Sequence, residues 1–361
     1  MTRHRGWIYL LCFCCLSAFA QDNSPAGQSK APLSVPIGTV NRLITLDVVA
    51  ADRTGQTLPG LQQQDFTLLD NKQPQKITAF HAVAGPTVDP PVEVILVVDE
   101  VNSSFHDVVI ARQQIEKFLS QNSGELIRPV SIVFFTDSGA TGTTPSRDAK
   151  AVIADLNQNE HGLRNTKRSQ GIYGAVERLN LSLHTLGQIA DYEAPRPGRK
   201  LLVWISPGWT YLSSPRVEPL SSTDQQKLFH SVVAVSNGLR RARITLYNVN
   251  PLDPGSGVLK QYYKDVSKGV STARDVRVGN LALQVLAYQS GGMVLNTSND
   301  LAAEIATCVN DANAYYVLSF DGAAGDAPNE YHALEVKINK PGVEARTRSG
   351  YYAQPDQARM P

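Results

Sequence analysis

The run of residues 92–98 constrains the fold of this chain more than any other part of the sequence. It is apolar except for Glu93, rich in β-branched residues, and too short to cross a membrane. A short, continuous apolar run of this kind is typical of a strand that is buried on both faces of a parallel sheet. The sequence therefore predicts a central parallel strand here.

Oxygen-bearing side chains follow this strand at Asp99, Asn102, Ser103 and Ser104. A helical pattern comes next, and it places four apolar side chains on one face, namely Phe105, Val108, Ile115 and Leu119. Ligands often bind where parallel strands end, and such oxygens suit a divalent cation. The alternative is that Asp99 and Ser103 only cap the helix, because both residue types favour that position.

Strand and helix patterns alternate beyond this point. Further apolar strand patterns occur at 129–135, 200–205, 244–249, 293–295 and 315–320, with helical patterns at 148–157, 224–239, 280–288 and 301–313 between them. Residues 139–146 are rich in Gly and Thr and predict a surface loop. The alternation predicts an α/β domain over residues 90–322 with a doubly wound, mostly parallel, Rossmann-type sheet.

Two segments of short strands with alternating apolar and polar residues, separated by turns, flank this domain at 40–83 and 331–353. The ends of a compact domain usually lie close together. We therefore expect the two segments to pack together as a small antiparallel β subdomain.

The first residues have the pattern of a secretory signal peptide. Arg3 and Arg5 precede an apolar stretch at 7–16, and Ala18-Phe-Ala20 forms a small-x-small cleavage site. We expect a signal peptide at 1–20 and a flexible leader at 21–39. The mature protein is then secreted or periplasmic in a bacterium, and it does not span a membrane after cleavage.

Charge and cysteine content exclude some classes of protein. The net charge is +1 at pH 7, which does not favour binding to nucleic acid. Of the four cysteines, only Cys308 lies outside the predicted signal peptide, so no disulfide framework is expected. Cys308 falls in a helical pattern and is predicted to be a small buried residue rather than a nucleophile.

The strand, loop and helix around Asp99 resemble the first metal loop of a von Willebrand factor A-type domain, which has the pattern Asp-x-Ser-x-Ser. The form Asp-x-x-Asn-Ser is more similar to the VWFA-related acidobacterial family of secreted proteins. Its flanking motifs also occur here, including Arg-x-Gly-Tyr-Tyr at 348–352. The resemblance covers roughly residues 40–353. It implies a von Willebrand factor A-like fold with a metal-ion-dependent adhesion site.

Several of the ligand positions that this resemblance implies are substituted. Asp99 and Ser103 match, but Val101, Gln170 and Pro207 stand where the family has serine, threonine and aspartate. A lone carboxylate offsets poorly the cost of dehydrating Mg²⁺. We expect no cofactor, or at most weak binding of Mg²⁺ or another divalent cation at Asp99 and Ser103.

The same resemblance places a ligand-binding surface, which we call the crest, on the loops 99–104, 169–172 and 206–209. Its predicted contact residues are Asn102, Ser104, Gln170, Ser206 and Trp209. We expect a non-catalytic module for protein binding or adhesion, with a protein as its partner. The alternatives are a structural component of an envelope assembly and a secreted hydrolase.

A hydrolase has little support in the sequence. There is no His-Glu-x-x-His spacing and no Gly-x-Ser-x-Gly elbow. His106 and Asp107 lie near Ser103 and Ser104, but polar residues are expected at a helix start in any case.

Overall fold

The structure of the chain is a computed structural model. It describes residues 42–85, 90–121, 124–159, 171–209, 221–251, 263, 265–296 and 298–355. The predicted signal peptide and leader lie outside the described residues.

The described strands are β1 (Leu43–Asp52), β2 (Phe66–Asp70), β3 (Gln73–Gln75), β4 (Ala79–Ala84), β5 (Glu93–Asp99), β6 (Glu125–Thr136), β7 (Gly139–Gly142), β8 (Ser146–Asp148), β9 (Lys200–Ile205), β10 (Ile244–Val249), β11 (Val294–Leu295), β12 (Ala314–Asp321), β13 (Glu330–Ile338), β14 (Val343–Arg346) and β15 (Gly350–Ala353). The described α-helices are α1 (Phe105–Ser120), α2 (Ala149–Gln158), α3 (Gly171–Glu193), α4 (Ser222–Arg241), α5 (Leu283–Gln289) and α6 (Leu301–Asn310).

A mostly parallel sheet with the order β11-β10-β9-β5-β6-β7 forms the centre of the chain. Its first five strands are parallel, whereas β7 and β8 run antiparallel to β6. Every residue of β5, β9 and β10 is buried. This two-sided burial explains why these strands are almost entirely apolar.

The segment 139–146, predicted as a surface loop, instead contains the edge strand β7 and the start of β8. The chain reverses after β6, and Gly139 has a positive φ of 119° at the start of β7. Its Gly and Thr residues give no hydrophobic alternation, so the strand could not be recognised from the pattern.

Helices cover both faces of the central sheet. One hydrophobic core joins the sheet to α1, α2 and α6, and a second core joins its other face to α3, α4 and α5. The chain is therefore mixed α/β with a doubly covered central sheet. Among the described residues, no helix is long and apolar enough to cross a membrane.

Two antiparallel sheets with the orders β14-β1-β12-β4 and β15-β13-β2-β3 flank the central sheet. They share a core that includes Leu46, Leu68, Phe320, Val336 and Tyr351. β1 pairs with β14, and β2 pairs with β13, so strands from the two ends of the sequence lie side by side.

β12 belongs to this antiparallel layer, although its segment was predicted within the α/β domain. It pairs with both β1 and β4. Its alternate residues Tyr316, Leu318 and Phe320 enter the antiparallel core, whereas Tyr315 packs against the core of the central sheet. The two faces of β12 thus pack into two different cores.

The Arg-x-Gly-Tyr-Tyr segment at 348–352 joins the layers. The Tyr351 hydroxyl donates to Asp70 Oδ2 at 2.7 Å in the antiparallel core, and the Tyr352 hydroxyl donates to the Val270 carbonyl oxygen at 3.1 Å. Gly350 leaves no room for a side chain, because a Cβ there would lie 2.5 Å from the carbonyl oxygen of His332. The motif is accounted for by packing.

Candidate functional site

Two neighbouring parallel strands end at the same edge of the central sheet. Asp99 is the last residue of β5, and Ser206 follows β9 directly. The two strands pair with Val98 opposite Ile205. The crest loops 99–104 and 206–209 therefore start side by side. Gln170, in the third crest loop, lies outside the described residues.

The carboxylate of Asp99 accepts hydrogen bonds on both oxygens. Oδ1 accepts from the backbone N–H groups of Val101 at 3.0 Å and Asn102 at 2.8 Å. Oδ2 accepts from Trp204 Nε1 and from Asn102 Nδ2, both at 2.9 Å. A carboxylate has about four lone-pair positions, so these N–H donors use its accepting capacity.

The surroundings of Asp99 are those of a structural group. Asp99 is only 1% exposed. Burial raises the pKa of Asp99 above its ordinary value, and the hydrogen bonds from Trp204 and Asn102 oppose that rise. The carboxylate therefore holds the turn after β5 and fixes the Trp204 ring against it.

Asn102 extends this network to a helix. Its Nδ2 also donates to Ser182 Oγ at 2.9 Å, and Ser182 Oγ donates to the Arg178 carbonyl oxygen at 2.8 Å. Both Asn102 and Ser182 are buried. Asn102 thus links the crest to α3, and its polar atoms serve internal contacts.

The helix cap is Ser104 rather than Asp99 or Ser103. The Ser104 hydroxyl accepts from the Asp107 N–H at 3.2 Å, and Asp107 Oδ2 accepts from the Ser104 N–H at 2.9 Å. This reciprocal pair is a capping box. Ser103 lies beside it and is 7% exposed. The alternative that Asp99 and Ser103 cap α1 is therefore wrong, because Ser104 is the cap.

The described residues of the family-type metal site do not fit a divalent ion. The Asp99 oxygens are occupied by N–H donors, and Val101 is 1% exposed within the hydrophobic core. Pro207 provides only its carbonyl oxygen, which accepts from Gln284 Nε2 at 3.1 Å. Within the described ranges, no group of three or more His, Cys, Asp and Glu residues has the arrangement of a metal site.

Trp209 does not present its ring at the surface. It is 2% exposed and packs edge-on against Trp204, with 6.0 Å between the ring centroids. Ser206 is fully buried, and its hydroxyl accepts from the Gly208 N–H at 3.0 Å. Both residues shape the loop from inside, so neither is available to a partner in this conformation.

Phe105 is an exposed apolar residue of this region, and the sequence pattern did not predict its exposure. The helical pattern places it on one face with Val108, but Phe105 is 60% exposed whereas Val108 is 3% exposed. Phe105 is the first residue of α1, where the helix begins at the edge of the sheet. Periodicity identifies the face of a residue but not whether a neighbouring element covers that end.

No nucleophile–base pair forms among the described residues of the first crest loop. Asp107 is 2% exposed and committed to the capping box, and its Oδ2 also contacts the Ser104 hydroxyl closely. His106, the next residue along the chain from Phe105, is exposed. Ser104, His106 and Asp107 are therefore arranged as the capped start of α1.

No protein-family model matches the sequence, and no curated protein matches it.

Proposed function

We propose that this chain is a secreted or periplasmic bacterial protein with a von Willebrand factor A-like fold that binds a protein partner without catalysis. Its contact surface is the first crest loop and the start of α1. The degenerate adhesion site acts in this proposal as a structural turn, not as a metal centre.

The single observation that carries the proposal is the exposure of Phe105. An aromatic ring that is 60% exposed stands at the edge where the parallel strands end. Ligands of open α/β sheets bind at that edge, and aromatic residues are frequent anchors of protein interfaces. Asp99 and Asn102 fix the turn that precedes α1 through their hydrogen bonds, which pre-organises the surface.

The state of Asp99 supports binding that is independent of metal. All of its hydrogen-bonding capacity is used inside the protein, so a partner or ion would have to break buried bonds to reach it. The contact would then rest on shape and apolar area around Phe105.

The proposal is tested by capture of partners from a bacterial envelope extract on immobilised protein, with and without chelator. We expect a partner that is retained in chelator and lost with Phe105→Ala. Ile127→Ala is the matched control, because Ile127 is 51% exposed but lies near the start of β6, away from the crest. Equal capture by the two variants, or loss in chelator, would contradict the proposal.

A further inference from the structure

A groove lies between α3 and the β6–β7 edge of the central sheet, away from the crest. Its volume is about 370 Å³. Apolar side chains form its walls, among them Ile95, Val133, Ala140 and Ile189. Tyr192 stands beside them and is 65% exposed. The groove therefore offers apolar walls with an aromatic ring at its side, and Ser131, Thr143 and Gln188 add polar groups to its lining.

Two buried carboxylates lie at one end of this groove. Glu93, at the start of β5, is 7% exposed, and Glu193, at the end of α3, is 3% exposed. Glu93 Oε1 accepts a hydrogen bond from Ser131 Oγ at 2.9 Å. Buried acidic side chains are costly unless they are paired, so their partners decide what this end of the groove can bind.

Arg196 lies between the two carboxylates, and its Nη1 donates a hydrogen bond to the Tyr192 hydroxyl at 2.9 Å. Its Nη2 is 3.5 Å from Glu93 Oε2, and its Nε is 3.5 Å from Glu193 Oε2. Charge-assisted hydrogen bonds are shorter, at about 2.7–2.9 Å. The Arg196 side chain is 34% exposed, and its guanidinium carbon lies 5.2 Å from the centroid of the Tyr192 ring.

Glu193 keeps one buried oxygen that accepts no hydrogen bond from any described residue, namely Oε2. The 3.5 Å contact with Arg196 is an ion pair without hydrogen-bond geometry. The buried ammonium of Lys200 donates instead to the backbone carbonyl oxygens of Glu193 and Arg196. Burial, followed by the charge of Glu93, raises the pKa of Glu193, and Arg196 and Lys200 oppose that rise.

We infer that this groove binds an organic cation, an ammonium or guanidinium group on an aliphatic stem. The head takes the place of Arg196 between Glu93 and Glu193, and the stem lies along the apolar walls. Glu193 Oε2 gains the hydrogen bond that it lacks. Arg196 is the intrachain occupant, and it shows in this structure that a guanidinium group fits there.

Other ligand classes fit less well. An anion would meet the two carboxylates, and a neutral amide would replace the ion pairs of Arg196 without restoring charge balance. The cation has two possible sources, a free amine or guanidine and the side chain of a basic residue in a peptide. The chemistry at Glu93 and Glu193 is the same for both.

The test is a calorimetric titration of the purified chain with n-butylguanidinium, with butylurea as the neutral isostere. We expect saturable binding of the cation alone. Arg196→Ala removes the competing occupant and should tighten binding about 10-fold, equivalent to about 1.4 kcal/mol. Glu193→Gln should weaken binding at least about 10-fold, the usual worth of a charged hydrogen bond.

Asp191→Asn is the matched control, because its carboxylate lies two residues from Glu193 but its side chain is 78% exposed. It should leave the affinity unchanged. Circular dichroism establishes that each variant is folded. Absence of saturable heat in both the parent chain and Arg196→Ala, equal binding of butylurea, or unchanged affinity in Glu193→Gln would each overturn the inference.

A second titration with N-acetylarginine N-methylamide distinguishes the sources. Binding of butylguanidinium alone indicates a free cation, whereas binding of both indicates that an arginine side chain on a peptide backbone is also accepted. The inference holds in both cases. The crest proposal is independent, because Phe105→Ala changes no residue of this groove.

Discussion

The two ends of β5 carry two buried carboxylates in opposite states. Asp99 at the carboxyl end accepts hydrogen bonds from backbone, amide and indole N–H groups at 2.8–3.0 Å. Glu93 at the amino end accepts from Ser131 and shares Arg196 with Glu193, at 3.5 Å from each carboxylate. Both carboxylates are buried, but only at Asp99 do both oxygens accept hydrogen bonds of 3.0 Å or less.

Burial of an acidic group therefore does not by itself indicate a ligand-binding site. A carboxylate whose lone pairs are filled by neutral N–H donors is a fixed part of the fold, and displacing any donor costs free energy. A carboxylate paired with a partly exposed guanidinium retains capacity for another cation. The family-like motif lies at the Asp99 end of β5, where the hydrogen-bonding capacity is filled. The unfilled capacity lies at the Glu93 end.

The largest expected effect is at the crest end. Trp209→Ala removes a buried ring that packs against Trp204, the donor to Asp99. We expect a loss of about 3–5 kcal/mol in the free energy of unfolding, as for other buried aromatic residues. Denaturant titration measures it. A loss below about 1 kcal/mol would mean that Trp209 packs loosely and is available to a partner after all.

A matched pair of variants compares the two ends directly. Asp99→Asn leaves one carbonyl oxygen for several N–H donors and points an amide N–H group at them, so it should cost about 2–4 kcal/mol in the free energy of unfolding. Glu193→Gln makes the same chemical change where Oε2 accepts no hydrogen bond, and it should stay within about 1 kcal/mol of the parent.

The buried thiol of Cys308 gives an independent readout of this pair. It is fully buried, and burial raises its pKa well above the ordinary value. Thiol labelling therefore follows opening of the fold, and it should accelerate in Asp99→Asn and not in Glu193→Gln. Equal destabilisation by both variants would remove the distinction between the two ends.

The sequence pattern identified the central strand because a short, continuous apolar run such as residues 92–98 is typical of a strand that is buried on both faces. It did not identify β7, whose Gly and Thr residues carry no periodicity, or the exposure of Phe105, which depends on what covers the end of α1. It did not show that β12 pairs with β1, because alternation does not show which sheet a strand joins.

The hydrogen bonds and ion pairs of the two carboxylates could not be predicted from the sequence. Trp204 is 105 residues from Asp99, and only the parallel pairing of β5 and β9 brings its indole N–H to the carboxylate. Glu93 was conspicuous as the one polar residue of the run 92–98. Nothing local marked Glu193 as its neighbour, because the fold brings α3 to the same end of the sheet.

A smaller effect is expected from pH at the groove end. The pKa of Glu193 is raised in the folded protein above its ordinary value of 4.5. Protonation therefore favours the folded state, and this contribution is fully present below the ordinary pKa and lost as the pH rises through the raised one. Glu193→Gln cannot titrate at this position.

The free energy of unfolding of the parent should therefore rise relative to Glu193→Gln as the pH falls from about 7 towards the ordinary glutamate value. Denaturant titrations of both proteins at several pH values measure the difference. Parallel pH profiles would show that Glu193 keeps its ordinary pKa and is more open to solvent than its burial indicates.

The smallest expected effect is that of divalent metal at the crest, where we expect none. Asp99 has no lone pair left for an ion, Val101 lies in the core, and Pro207 adds no carboxylate. A folded-state site filled at 100 times its Kd would add about 2.7 kcal/mol to the free energy of unfolding, which is easily detected. Thermal melts with Mg²⁺, Mn²⁺ or Ca²⁺ should instead match melts in chelator, for the parent and for Asp99→Asn alike. Calorimetric titration should show no saturable heat. A metal-dependent rise in melting temperature that Asp99→Asn abolishes would mean that the N–H donors release the carboxylate to an ion, and the two ends of β5 would then both be open to cations.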